Sequence, residues 1–129
     1  MEAWLSEFVA HHMALQAASD PSLALLLERA GGMRLFGTIG AEVFLRRDGS
    51  TVALREGPVE ESDSWHSQTE VERLAAIVIA CRRFPELERL LPQRPVGASD
   101  CFVCGGSGHL YGVVCGACSG LGWRHSATG

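Results

Sequence analysis

The sequence predicts an α+β protein: helices packed on a small antiparallel sheet, plus a C-terminal hairpin module built round four cysteines. Three observations carry that expectation. Apolar residues recur at helical spacing over 3–18, 21–30 and 68–84. Two alternating runs, AEVFLRR and STVALRE, flank an Asp-Gly pair in the middle of the chain. Four of the five cysteines fall into two CxxC pairs over 101–118.

The first helix is expected from about Ala3 to Ala18, where Leu5, Phe8, His12 and Leu15 share a face that Trp4, Val9 and Met13 widen. Asp20 then reads as an N-cap and Pro21 as the first residue of a second helix that ends at Gly31-Gly32. MRLFGTIG holds a short strand, weakened by Gly37. Asp48-Gly49 reads as a two-residue hairpin turn pairing Leu45 with Val52 and Val43 with Leu54. That register places all four on one core-facing side, and a slip of one residue would break the agreement. GPVEESDSWHSQ reads as a polar loop.

A third helix is expected over about Gln68–Phe84. Ser67…Glu70 and Thr69…Glu72 both fit a capping box, and Val71, Leu74, Ala75, Val78 and Cys81 form the buried stripe. Pro85 opens a short fourth helix and Pro92 stops it. Residues 1–91 thus read as an α+β domain, 92–99 as a linker, 100–125 as a single-metal module and 126–129 as a tail.

The chain has 129 residues, 47% of them hydrophobic, and a net charge of −4, which suits one domain with a small module. Mild acidity gives no electrostatic case for nucleic acid or an anionic membrane. The longest apolar run, LAAIVIAC at 74–81, is too short to span a bilayer. The start, MEAWLSEFVAHH, has acids where a secretory signal has basic residues, so a cytoplasmic address is expected. In that compartment closely paired cysteines bind metal rather than form disulfides.

Cys101 and Cys104 are three apart, as are Cys115 and Cys118, with ten residues between the pairs. A CxxC turn lets two sulfurs converge on one ion, and two such turns supply four thiolates at tetrahedral corners, the geometry of one structural Zn²⁺. Gly106, Gly108, Gly120 and Gly122 sit at equal offsets after the pairs, where the chain must turn past the metal without a Cβ in the way. The module has too few apolar residues to fold unaided, so the ion must supply the stability. Four cysteines fill the coordination shell and leave no position for a substrate.

The unit CxxCxGxG, repeated here with a period of 14 residues, resembles the cysteine-rich zinc module of DnaJ-type co-chaperones. It is also similar to the zinc module of the anti-TRAP regulators, which block an RNA-binding protein through protein contacts. The resemblance covers residues 100–124. It implies zinc ligation by Cys101, Cys104, Cys115 and Cys118, and the turn role for Gly106, Gly108, Gly120 and Gly122. It also implies binding of another polypeptide, either a specific partner or an unfolded chain. The J-domain is not part of the likeness, because no histidine begins His-Pro-Asp.

Phe102, Leu110, Tyr111, Leu121 and Trp123 either line an exposed apolar surface for that partner or form the module's own small core. Cys81 reads as a buried small hydrophobe. His11-His12 reads as the border of a helix face, because adjacent helical residues point apart. His109 and His125 flank the cysteines without displacing them as ligands. Arg82, Arg83, Arg89 and Arg94 are interleaved with Glu86 and Glu88, a solvated face rather than a polyanion site.

No catalytic constellation is visible: there is no nucleophile elbow, P-loop or dinucleotide-binding glycine pattern. The expected protein is therefore a non-enzymatic adaptor, regulator or chaperone-like binder of polypeptides, able to self-associate through the same surface. Two other functions stay open: a thiol–disulfide oxidoreductase or isomerase acting through the CxxC pairs, and a nucleic-acid-binding regulator.

Overall fold

The computed structural model describes residues 3–38, 41–55 and 64–124. The chain divides into two compact units, Met1–Gln68 and Thr69–Gly129. The tail 126–129, His125 and the first part of the polar loop, 57–63, lie outside the described residues.

In the first unit, α1 spans Ala3–Ser19 and buries Leu5 and Val9. Asp20 caps the next turn: its carboxylate accepts from the Ser22 amide, and Pro21 opens a 3-10 turn over Pro21–Leu23. Helix α2, Ala24–Ala30, follows and ends at Gly31, which takes φ 69° and donates its amide back to the carbonyls of Leu27 and Glu28. Four strands then form one antiparallel sheet in sequence order: β1 Gly32–Thr38, β2 Ala41–Arg46, β3 Thr51–Arg55 and β4 Ser64–Ser67. Strand β4 falls where the sequence reads as loop. Trp65 explains the gain: it pairs with Leu54 and lies 5.7 Å from the Phe44 ring.

The central hairpin departs from the expected register by one residue. Phe44 pairs with Val52, Leu45 with Thr51 and Glu42 with Leu54. The turn holds three residues, Arg47-Asp48-Gly49, closed by the Arg46 amide donating to Ser50 O at 2.8 Å. Only Gly49 takes positive φ, 90°. Asp48 instead accepts from the Ser50 amide and hydroxyl through one carboxylate oxygen, at 2.9 and 2.6 Å. Phe44, Val52 and Leu54 therefore share a face with Leu23, Leu27 and Ala30 of the helical segment. Val43, Leu45, Thr51 and Ala53 occupy the opposite face and are buried as well. With both faces buried, alternation did not fix the register; the turn did.

Strand β1 carries a bulge between Arg34 and Phe36. The Gln16 side chain of α1 fills the place of a neighbouring strand there. Its amide donates to Arg34 O and its carbonyl accepts from Arg34 N, both at 2.8 Å.

In the second unit, α3 spans Glu70–Ala80. Thr69 is the N-cap that wins: its hydroxyl accepts from the Glu72 amide while the Glu72 carboxylate accepts from the Thr69 amide. The fully buried strip is Ala76, Ile77 and Ala80, not the expected one, and Val71 is exposed. A run that is apolar all round gives periodicity no face to select. Helix α3 stops at Ala80, short of the expected Phe84, where the Arg82 and Arg83 amides turn back to the carbonyls of Ile79 and Ala80, and Pro85–Leu90 forms a 3-10 turn. Residues 92–99 make a turn of their own, with Gly97 at φ 86° and the Ala98 amide donating to Pro95 O. Helix α3, the 3-10 turn and residues 92–99 belong to the same unit as the cysteines, so the compact division falls at Gln68/Thr69 rather than at 91/92. The remaining elements are two two-stranded ribbons. Strand β5, Ser99–Asp100, pairs with β8, Trp123–Arg124, and β6, His109–Leu110, pairs with β7, Val113–Val114.

Candidate metal centre

Each CxxC pair sits on a tight knuckle, and the two knuckles repeat one another bond for bond. The Gly106 amide donates to Cys101 O and the Gly120 amide to Cys115 O, at 3.2 and 3.0 Å. The next contacts reach sulfur: Gly108 N donates to Cys104 Sγ at 3.3 Å and Gly122 N to Cys118 Sγ at 3.2 Å. The halves also exchange bonds. Cys101 N donates to Gly122 O and Cys115 N to Gly108 O, at 3.0 and 2.8 Å. The ribbons follow the same rule, since adding 14 to the β5 and β6 positions gives β7 and β8. The module thus has a local two-fold relation between residues 99–110 and 113–124.

The glycines make that interlock sterically possible. A Cβ on Gly108 would lie 2.5 Å from Gly120 O, and one on Gly122 would lie 2.6 Å from Gly106 O. Both positions have positive φ, 81° and 86°.

The four sulfurs converge. Cys101 Sγ lies 3.9 Å from Cys115 Sγ, Cys104 Sγ lies 3.8 Å from Cys118 Sγ, and all four fall within 4.8 Å of one another. A disulfide needs about 2.05 Å, so none of these contacts is one. An ion that takes sulfur at about 2.3 Å in a tetrahedron sets its corners about 3.8 Å apart. The cluster fits such an ion. Cys101, Cys115 and Cys118 are buried and Cys104 is half-buried, with Leu110 packed against them.

Burial opposes a charge on Cys104, but the Gly108 and Gly106 amides and the sulfurs of Cys101 and Cys118 outweigh it and lower its pKa to about 6. At Cys118 burial comes first, the Cys104 and Cys115 sulfurs push the same way, and the Gly122 and Gly120 amides only partly offset them, leaving it at about 11. A metal-free cluster therefore places its first negative charge on Cys104. A dication among the sulfurs displaces their protons. Four sulfurs are enough to fill a tetrahedral shell.

The five apolar residues singled out from the sequence do not form one surface. Phe102 is 82% exposed and Tyr111 102%, whereas Trp123 is only 8% exposed. Leu110 and Leu121 are half-buried. Phe102 lies beside Arg124 of β8, whose guanidinium carbon is 5.9 Å from its ring centroid. Tyr111 forms the β6–β7 turn with Gly112. Trp123 lines a groove of about 580 Å³ with Val78, Cys81, Leu91, Pro92 and Leu121. Val103 and Val113 are also exposed.

Helix α3 reaches this module through Val78, whose Cγ1 would lie 2.9 Å from a Cβ on Gly120. Arg82 Nη2 lies 3.0 Å from His109 Nε2, and His109 Nδ1 lies 3.2 Å from Ser107 O. Arg82 has only protons to offer, so Nε2 accepts and Nδ1–H donates to Ser107 O. Arg94 pairs with Asp100 at 2.8 Å and donates to Ala98 O.

Sequence reasoning missed three features here. Tyr111 and Gly112, with φ 52° and 80°, form a turn whose signal was an X-Gly pair between two short apolar stretches. Ser119 takes φ 56°, and aligning the two repeats places it opposite Gly105, at φ 65°. The Arg82–His109 contact had no local signal. Neither a protein-family model, nor a curated protein, nor a solved structure matches this chain.

Proposed function

We propose that this chain is a non-enzymatic protein-interaction protein whose second unit is held by one structural zinc ion on Cys101, Cys104, Cys115 and Cys118. The observation that carries the reading is the closed cluster of four sulfurs, at spacings that suit zinc and leave no position for a substrate. The polypeptide-binding role is supported by large apolar side chains left in solvent on the same module: Phe102, Tyr111 and Val113. Tyr111 holds a left-handed backbone at the turn, a conformation a β-hairpin grants more cheaply to Gly or Asn, which fits selection for its side chain. Among the described residues no helix is long and apolar enough to cross a membrane.

The test replaces Phe102 and Tyr111 by Ala, singly and together. Both are exposed, so zinc content and folding are expected to stay unchanged. Capture of partner polypeptides from the native host, or suppression of aggregation of an unfolded client, is expected to fall. Retention of both behaviours in the double variant overturns the binding role.

A thiol–disulfide role is the second reading, favoured by one observation. In the metal-free cluster Cys104 is the preferred thiolate and faces Cys118 across 3.8 Å. Insulin reduction by the metal-free protein, absent from the zinc-loaded form, would support it. Stoichiometric zinc under mild oxidant with no insulin reduction removes it.

A further inference from the structure

We infer that the metal centre controls the exposure of the 78–82 face of α3 and its C-terminal turn, so that withdrawing the ion uncovers Cys81. The inference rests on the four sulfurs holding an ion, and it concerns a fifth cysteine that is no ligand.

Three contacts join α3 and the segment after it to the knuckles. Val78 sits on Gly120, a left-handed glycine at φ 83° whose amide is tied to Cys115 O inside the second knuckle. Arg82 is bound to His109, the first residue of β6. Arg94 is paired with Asp100, immediately before Cys101. Cys81 lies between the first two and opens into the groove walled by Gly120, Leu121 and Trp123. Its thiol is half-buried, and burial first, then the Glu88 carboxylate, raises its pKa. Glu88, Leu91 and Pro92 form one wall of that groove, and Gly120, Leu121 and Trp123, from the second knuckle and β8, form the other.

Without the ion, the knuckles lose the force that draws the four sulfurs together. The buried apolar cluster round the sulfurs is Cys101, Cys115 and Cys118 themselves, with Leu110 packed on it, and Phe102, Val103, Tyr111 and Val113 are exposed. With no ion to draw the four sulfurs together, the exchanged bonds between Cys101, Gly122, Cys115 and Gly108 loosen with them. Gly120, Leu121 and Trp123 then leave the α3 face, and Cys81 meets solvent. The centre in this way reports its own occupancy through a thiol outside it.

The test uses the full chain, reduced, loaded with zinc and then stripped by a chelator. Native mass spectrometry counts the ion, peptide mass spectrometry follows alkylation of Cys81 by iodoacetamide, and amide exchange of 78–84 is read in the same samples. Stripping is expected to speed Cys81 alkylation about tenfold and to raise exchange over 78–84. Arg82→Ala is expected to keep the ion and speed alkylation about twofold, because one of the contacts is lost. A chain that binds one ion yet alkylates Cys81 at the same rate with and without it overturns the inference and leaves the centre standing. A chain that binds no ion overturns both.

Discussion

The Gly120 carbonyl oxygen and the Gly108 Cα approach so closely that a Cβ on Gly108 would lie 2.5 Å from that oxygen. Neither atom belongs to a ligand, yet the contact sets how near the two knuckles come. Gly108→Ala is expected to lower zinc affinity and destabilise the second unit by about 2–3 kcal/mol, adding a backbone clash to left-handed strain. Gly112→Ala is the control: φ is 80° there too, but the space is open. It is expected to cost about 1 kcal/mol. Chelator competition and thermal unfolding of both variants check the difference.

Removal of one ligand tests the centre itself. Cys115→Ser replaces a fully buried sulfur that contacts Cys101 Sγ at 3.9 Å. Stoichiometric zinc is expected to be lost, since structural zinc contributes roughly 10–16 kcal/mol in small modules and three thiolates do not hold it closed. Native mass spectrometry reads the result directly.

Acid is expected to release the ion, because protons compete for the same sulfur lone pairs. In the metal-free cluster Cys104 has its pKa lowered to about 6, whereas Cys118 is raised to about 11. At neutral pH Cys104 is ready and Cys118 must give up a proton, so zinc uptake acidifies a weakly buffered solution. Affinity therefore rises with pH through this range, and a pH-stat titration with zinc measures the protons expelled.

At the central hairpin the side-chain bond to Ser50 comes first among the causes that lower the Asp48 pKa below 3.8. A lowered carboxylate pKa stabilises the fold above the unfolded value, and that contribution disappears as pH falls through the folded value. Asp48→Asn keeps an acceptor for Ser50 but no charge, so its unfolding midpoint is expected to fall less steeply below about pH 4. Acid titration of both proteins, followed by circular dichroism, compares the slopes.

Gln16→Ala removes both partners of the Arg34 backbone at the β1 bulge. The expected cost is about 1–3 kcal/mol, because two partly buried backbone groups lose their bonds. Denaturant unfolding measures it, and Gln16→Glu, which keeps only the acceptor, should fall between the two.

Much of this architecture can be read from local chemistry. The α1–Asp20–Pro21–Gly31 series and the Thr69–Glu72 box depend on contacts a few residues apart, and the structure has them. The paired cysteines are likewise local in each half, and their spacing brings the four sulfurs together. What the sequence hides is decided elsewhere. An Asp-Gly pair suits both two- and three-residue turns, and the Asp48–Ser50 bond chooses between them. Ser64–Ser67 becomes a strand because Trp65 finds Phe44, more than a dozen residues away in the chain. Trp123 looks like a free anchor until Val78 and Leu91 supply the other walls of its groove.

The exchanged bonds between the knuckles carry a consequence for synthesis. Cys101 N needs Gly122 O, and Cys115 N needs Gly108 O, so neither repeat is finished without the other. A nascent chain that has emerged only as far as residue 110 has both sulfurs of the first repeat and no mate for its backbone. Ion capture must therefore wait until Gly122 has left the ribosome, when both halves of the cysteine module can close together.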